Sequence, residues 1–140
     1  MKKRILILFV SLFVMTSINA QSITGKWKTI DDDTGKEKSV VEIYKKGGKY
    51  YGKVISIVDP KKRDKKCEKC TDYRKDKPVL GMEIIKDLEQ DDDEFEDGTI
   101  MDPENGKIYD CKIWLEDKNT LNVRGYIAFF YRTQEWLRVE

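Results

Sequence analysis

The chain has 140 residues, 39% hydrophobic and 38% charged, enough for one domain with one core and too few for two independent ones. With 15 aromatic residues, nine glycines and three prolines it is neither collagen-like nor generically disordered. Its 27 basic residues are balanced by 26 acidic ones, and the complete absence of histidine excludes Ser-His-Asp and Cys-His nucleophile pairs, histidine-ligated metals and a histidine pH switch.

The chain opens on Met1-Lys2-Lys3-Arg4, continues in the apolar run 5–14 and reaches the small residue Ala20 before Gln21. That order predicts a secretory signal peptide over residues 1–20, cleaved after Ala20, and a single domain over 21–140. The apolar run is too short to cross a bilayer comfortably, and Gln21 in place of cysteine excludes a lipobox. The exported protein is therefore expected in the periplasm or outside the cell, with no membrane span left. Losing Lys2, Lys3 and Arg4 leaves 24 basic against 26 acidic side chains, a net charge of about −2. Such a balance gives no support for binding nucleic acid through its phosphates.

Beyond Gln21 no apolar set recurs at helical spacing over three turns. Short runs rich in Val, Ile, Tyr and Trp alternate with Gly, Asp and Asn clusters instead. Strands are predicted over 25–30, 39–45, 49–58, 82–88, 94–101, 107–116, 120–127 and 131–139, with 82–90 readable as a short helix instead. Asp33-Thr34-Gly35, Gly47-Gly48, Asp102-Pro103-Glu104-Asn105-Gly106 and Asp117-Lys118-Asn119 supply the turn chemistry between them. The exception is 59–80, a lysine-rich, cysteine-containing connection too long for a tight turn. Eight antiparallel strands lose their edges most simply by closing into an up-and-down barrel, whose interior fits side chains or one small ligand.

Gly25-Lys26-Trp27 resembles the Gly-x-Trp opening of lipocalin-type barrels, and Arg138 resembles the arginine those barrels lay across that tryptophan. A wider pattern is similar to the bacterial secreted family called domain of unknown function 2147. It comprises Cys67-Glu68-Lys69-Cys70-Thr71-Asp72, Gly81-Met82, Asp102 to Lys107, Cys111-Lys112-Ile113-Trp114-Leu115, Val123-Arg124-Gly125-Tyr126-Ile127 and Arg132-Thr133-Gln134-x-Trp136. The resemblance covers nearly all of the chain after Gln21. It implies a lipocalin-like barrel in or outside the bacterial envelope, with Trp27 and Arg138 as a structural pair, and no established activity. The connection Ala128-Phe129-Phe130-Tyr131 departs from the family pattern in lacking a glycine.

Cys67-x-x-Cys70 has lysine neighbours that favour thiolate, but no apolar stripe follows to dock the helix of a redox dithiol. In an oxidising compartment a local Cys67–Cys70 disulfide is favoured, with a bridge from one of the pair to Cys111 as the alternative. No histidine or fourth cysteine completes a zinc site. Asp93, Asp97, Gly98, Ile100 and Glu104 fall at EF-hand spacing, but Phe95 at the third position, Pro103 and strand-like flanks oppose it, so no metal is assigned. No cofactor is implied, and no pair of carboxylates is singled out for acid-base catalysis.

Alternation over the last three strands sorts residues into two faces. One is apolar: Tyr109, Cys111, Ile113, Leu115, Leu121, Val123, Gly125 and Ile127. The other carries Asp110, Lys112, Trp114, Asn122, Arg124, Tyr126, Arg132, Gln134, Trp136 and Arg138. If Trp114 pairs with Asn122, and Tyr126 with Arg132, then Lys112, Arg124 and Gln134 form one cross-strand row bordered by Trp114, Tyr126 and Trp136. Such a row suits an anionic head group. The alternative is that this mixed face is solvated and the apolar face fills the barrel. Because Arg138 shares the mixed face, its reach toward Trp27 would turn that face into the lumen. The apolar face would then lie outside, for the long loop or a homodimer to cover. The expected function is binding of a small anionic or amphipathic molecule without covalent chemistry. An envelope module that docks a protein or surface polymer is the alternative, and a hydrolase comes third.

Overall fold

The computed structural model of the protein describes residues 22–140; the leader expected over 1–20 and its cleavage site lie outside the described residues. Eight strands follow one another around a closed antiparallel barrel. They are β1 (Gly25–Ile30), β2 (Glu37–Lys46), β3 (Lys49–Ile57), β4 (Glu83–Asp91), β5 (Glu94–Met101), β6 (Ile108–Asp117), β7 (Thr120–Ile127) and β8 (Phe130–Arg138). The helical alternative over 82–90 is overturned, for a specific reason. Against β3 the register shifts between Tyr50 and Gly52, where β4 carries an extra residue, and Asp87 there takes a φ of 60°. Ile85 and Leu88, three apart, thereby face inward together and are fully buried, which mimics helical spacing.

The barrel is plugged at the end where β1 begins. Trp27 is fully buried and its Nε1 donates to Ile23 O at 2.8 Å. The Arg138 guanidinium lies 4.2 Å from the Trp27 ring centroid. It also donates to the carbonyls of Lys118, Thr24 and Ser22 at 2.7, 3.2 and 3.0 Å, which ties the segment before β1 and the β6–β7 turn to the end of β8. Val41, Ile43, Leu88, Ile113 and Leu121 pack behind the tryptophan in the same buried cluster.

The long connection is ordered and pinned. Asp59 caps a one-turn 3₁₀ segment, Pro60–Lys62, by accepting from Lys61 N at 2.9 Å. Cys67 and Cys70 form a disulfide; both are buried, with Cys70 Sγ 3.6 Å from Met101 Sδ. Gly106, at φ 73°, lies so close beneath the loop that a Cβ there would sit 1.9 Å from Lys69 O. Further on, the buried Arg74 pairs with Asp72 at 2.7 Å and donates to Glu83 O at 3.1 Å. Cys111 is a free thiol, so the bridge from the loop to Cys111 is excluded, and burial pushes that thiol up to about 12.

Closure between the first and last strands is short. β1 and β8 pair through Trp27↔Arg138 and Lys28↔Leu137, with Val139 N donating to Lys26 O at 3.0 Å just beyond them, whereas β7 and β8 pair over eight positions. Toward the opposite end the seam is held by side chains: the Asp32 carboxylate accepts from Gln134 Nε2 at 2.7 Å and pairs with Arg132 Nη2 at 2.9 Å.

Candidate ligand-binding cavity

Above the Trp27 plug the barrel encloses a cavity of about 1130 Å³ that opens at the end formed by the β1–β2, β3–β4, β5–β6 and β7–β8 connections. Its wall is set by strand alternation. Because Trp27 points inward, so does Thr29 two residues on. Val54 and Ile57, Ile84, Ile100, Val123 and Trp136 supply apolar surface from the other strands. Polar wall atoms satisfy one another. Thr29 Oγ1 and Ser39 Oγ are 2.6 Å apart, and Trp136 Nε1 donates to Gln134 Oε1 at 3.3 Å. No buried side-chain nitrogen or oxygen among the described residues lacks a partner. The interior therefore accepts an apolar body and asks for no particular hydrogen bond from it.

Charge is confined to the mouth, where lysines predominate on one side and carboxylates, interspersed with Lys36 and Lys38, on the other. On one side Lys61, Lys62, Lys65, Lys66 and Lys69 of the long connection face the opening. None of them is within ion-pair distance of a carboxylate among the described residues. Their field is felt by Glu104. Its carboxyl is held below its ordinary value chiefly by the Lys38 hydrogen bond, an ion pair at 2.8 Å, with Lys62 and Lys65 adding to the effect. On the other side, Asp31 of the β1–β2 loop is lowered by the backbone N–H groups of Thr34 and Asp33. A smaller depression of about 450 Å³ lies outside the plugged end between Ser22, Asn119 and Arg138. It is an open surface hollow, whereas the lumen is walled by the sheet on all sides but one, which makes the lumen the candidate site.

The six residues expected to line the site are divided between the two sides of the sheet. Trp114 pairs with Asn122 as the Asp117 to Asn119 turn predicts, but Tyr126 pairs with Tyr131 rather than with Arg132. This shift of one residue in the last hairpin sets Gln134 opposite Val123 and Trp136 opposite Leu121, both facing inward. Gln134 and Trp136 line the cavity. Lys112, Trp114, Arg124 and Tyr126 face out, and the expected row of Lys112, Arg124 and Gln134 does not exist. On the outer face Lys112 pairs with Glu94 at 2.7 Å, and that carboxylate raises its pKa. Arg124 lies 4.8 Å from the Trp114 ring and 4.3 Å from that of Tyr131, with its Nε donating to Thr133 Oγ1 at 2.8 Å. Tyr126 stands 5.9 Å from Tyr131.

The apolar set from Tyr109 to Gly125 is correspondingly the inner face, with Cys111, Ile113, Leu121 and Val123 buried in the core. The apolar outer face that a homodimer was expected to cover is absent from these strands. Lumen residues on the earlier strands, Thr29, Val54, Ile57, Ile84 and Ile100, were missed. The parity of Trp27 was sufficient to find Thr29, and the parity of Arg138 placed Gln134 and Trp136 correctly. The error lay in carrying that parity across a hairpin of unknown register. The acidic run 91–97 is the β4–β5 hairpin and not a helix-loop-helix calcium loop.

The family model described as "Uncharacterized protein conserved in bacteria (DUF2147)" matches residues 25–138, from the first strand to the last. Among solved structures the barrel is similar to one described as "Protein HP1028 from the human pathogen Helicobacter pylori belongs to the lipocalin family". That similarity has a TM-score of 0.75 and 21% sequence identity, over 85% of this chain and 84% of the other. At that identity the likeness concerns the fold. None of the curated proteins matches the chain.

Proposed function

We propose, from the premise that the chain belongs to the DUF2147 family of bacterial proteins, that its lipocalin-like barrel is an exported binder of a small amphipathic molecule with an anionic head. The single observation that carries this reading is the cavity itself. It is plugged at one end by Trp27 and Arg138, apolar in its walls, open at the other end, and about 1130 Å³ in volume, slightly above the range of about 300–1,000 Å³ usual for small-molecule sites. An apolar tail fits among Val54, Ile84, Ile100 and Trp136, while a carboxylate or similar head meets Lys62 and Lys65 at the rim. The Thr29 and Ser39 hydroxyls in the wall bond to each other rather than to a base, which supports a reading of binding without covalent chemistry. Export is supported by the Cys67–Cys70 disulfide, which suits an oxidising compartment. Intact-mass analysis of exported protein should find a chain that begins at Gln21.

Titration with a fluorescent fatty acid, and with the alcohol of the same chain length, tests the assignment. The protein should bind both, and Ile100→Trp, which partly fills the lumen, should weaken both. Lys62→Glu with Lys65→Glu should weaken only the acid, by roughly 0.2–1 kcal/mol for each exposed charge. Equal binding by the filled variant would place the probe elsewhere and refute the assignment.

A further inference from the structure

We propose that the open end of the barrel docks onto an anionic lipid bilayer, with the β7–β8 turn as an apolar wedge and the lysines of the long connection as its electrostatic hold. The turn is two residues, Ala128 and Phe129, and Ala128 takes a φ of 52°. Phe129 is 99% exposed and Phe130 75% exposed, and Ile127 and Tyr131 on either side are also exposed. Residues 127–131 thus carry five side chains with no charge among them at a convex tip. The base of the tip is held in place, because Tyr131 is gripped by Arg124 at 4.3 Å.

The wedge and the mouth lie at the same end. Gly125 and Arg132, which flank the turn, line the cavity just inside its opening. The lysine segment 61–69 rims that opening and holds six basic against two acidic side chains. Of the six, Arg63 is spent on Ile57 O, to which its Nε donates at 3.0 Å. The five lysines make no ion pair among the described residues. Of the carboxylates at the mouth, Asp32, Glu104 and Glu37 are neutralised by Arg132, Lys38 and Lys28; Asp31 and Asp33 keep their charge on the far side of the opening, while over 61–69 the basic side chains outnumber the acidic ones six to two.

An exposed aromatic tip beside unpaired lysines matches a bilayer interface, where apolar groups enter the acyl boundary and cations meet anionic head groups. A second copy would have to seat both uncharged tips while setting the acidic β1–β2 loop of one mouth against the lysine segment of the other, an arrangement that the sedimentation arm below tests. A protein groove would need to receive the tip without the lysines having a role.

Flotation with phosphatidylcholine vesicles, with and without phosphatidylglycerol, decides the matter. The exported form from Gln21 onward is used, since it holds all eight strands and the disulfide. It should float with the anionic vesicles and far less with the neutral ones. Phe129→Ser with Phe130→Ser should reduce partition about tenfold or more. Lys61→Gln with Lys66→Gln and Lys69→Gln, which spares the two lysines assigned to the ligand head, should remove the preference for phosphatidylglycerol, about five-fold per lysine at low salt. Fatty-acid titration without vesicles serves as the control, and both variants should retain the lumen. Loss of vesicle binding by the serine variant with the lumen intact supports docking. An unfilled lumen in a protein that still floats refutes only the ligand reading. No flotation of the parent, or equal flotation of the serine variant, overturns the proposal. So does a dimer in sedimentation that the serine variant abolishes, which would assign the tip to a second copy.

Discussion

Trp27 shows how much one side chain can organise when it is both buried and hydrogen-bonded. Its ring fills the closed end, its Nε1 is satisfied by Ile23 O, and Arg138 covers its face while tying down three carbonyls. Trp27→Ala removes the plug and leaves a charged side chain without its platform. It should cost about 3–5 kcal/mol, as large-to-small core substitutions do. Urea denaturation should read this as a lower midpoint with an unchanged slope. A loss under about 1 kcal/mol, the scale of a surface change, would mean that the closed end is held without the ring. By contrast Arg124 contacts Trp114 and Tyr131 on the outside, so its removal should leave fatty-acid affinity unaltered.

Among the elements, the long connection behaves as a folded part of the barrel, and its charge chemistry gives it a pH dependence. The buried Arg74 guanidinium holds the Asp72 carboxyl below its ordinary value of 3.8. The folded protein therefore binds that proton less readily than the unfolded chain does. The pair adds stability at every pH above the ordinary aspartate range, and that gain is lost as the pH falls from 3.8 through the lower folded-state value. Asp72→Asn should flatten this part of the acid limb in thermal melts taken across that window. An identical acid limb in the variant would show that the pair is not what couples the loop to pH. The turns explain what could be read in advance and what could not. Where a turn carries its own chemistry, as when Asp117 Oδ1 accepts from Asn119 N at 2.8 Å, both the strand ends and the Trp114↔Asn122 register were legible. Ala128-Phe129 carries none, so the last hairpin could slide by one residue, and with it four of six site residues changed face. The seating of Gly106 under Lys69 and of Met101 against Cys70 joins segments distant in sequence, and no local pattern announces it.

At the scale of the whole molecule, eight strands in sequence order close a barrel with one opening, and the same end gathers the lysines, the acidic loop and the aromatic tip. The ring of ladders is only as strong as its shortest span. At the plugged end two residue pairs between β1 and β8 are reinforced by Arg138 and by Val139 N donating to Lys26 O, whereas toward the opening the Asp32 clasp alone stands where β7 and β8 continue in register. The first breathing motion of this protein should thus be a zipper running down that seam, with the rest of the sheet intact. Asp32→Asn removes the ionic half of the clasp, a contact worth roughly 0.2–1 kcal/mol, so amide exchange near residues 130–135 should quicken up to about five-fold while that of β2 and β3 stays the same. Uniform acceleration would mean that the seam opens only with the whole fold. A hoop fastened by one buckle empties when the buckle slips, so the residence time of a guest would be governed by Asp32 rather than by the melting temperature of the barrel.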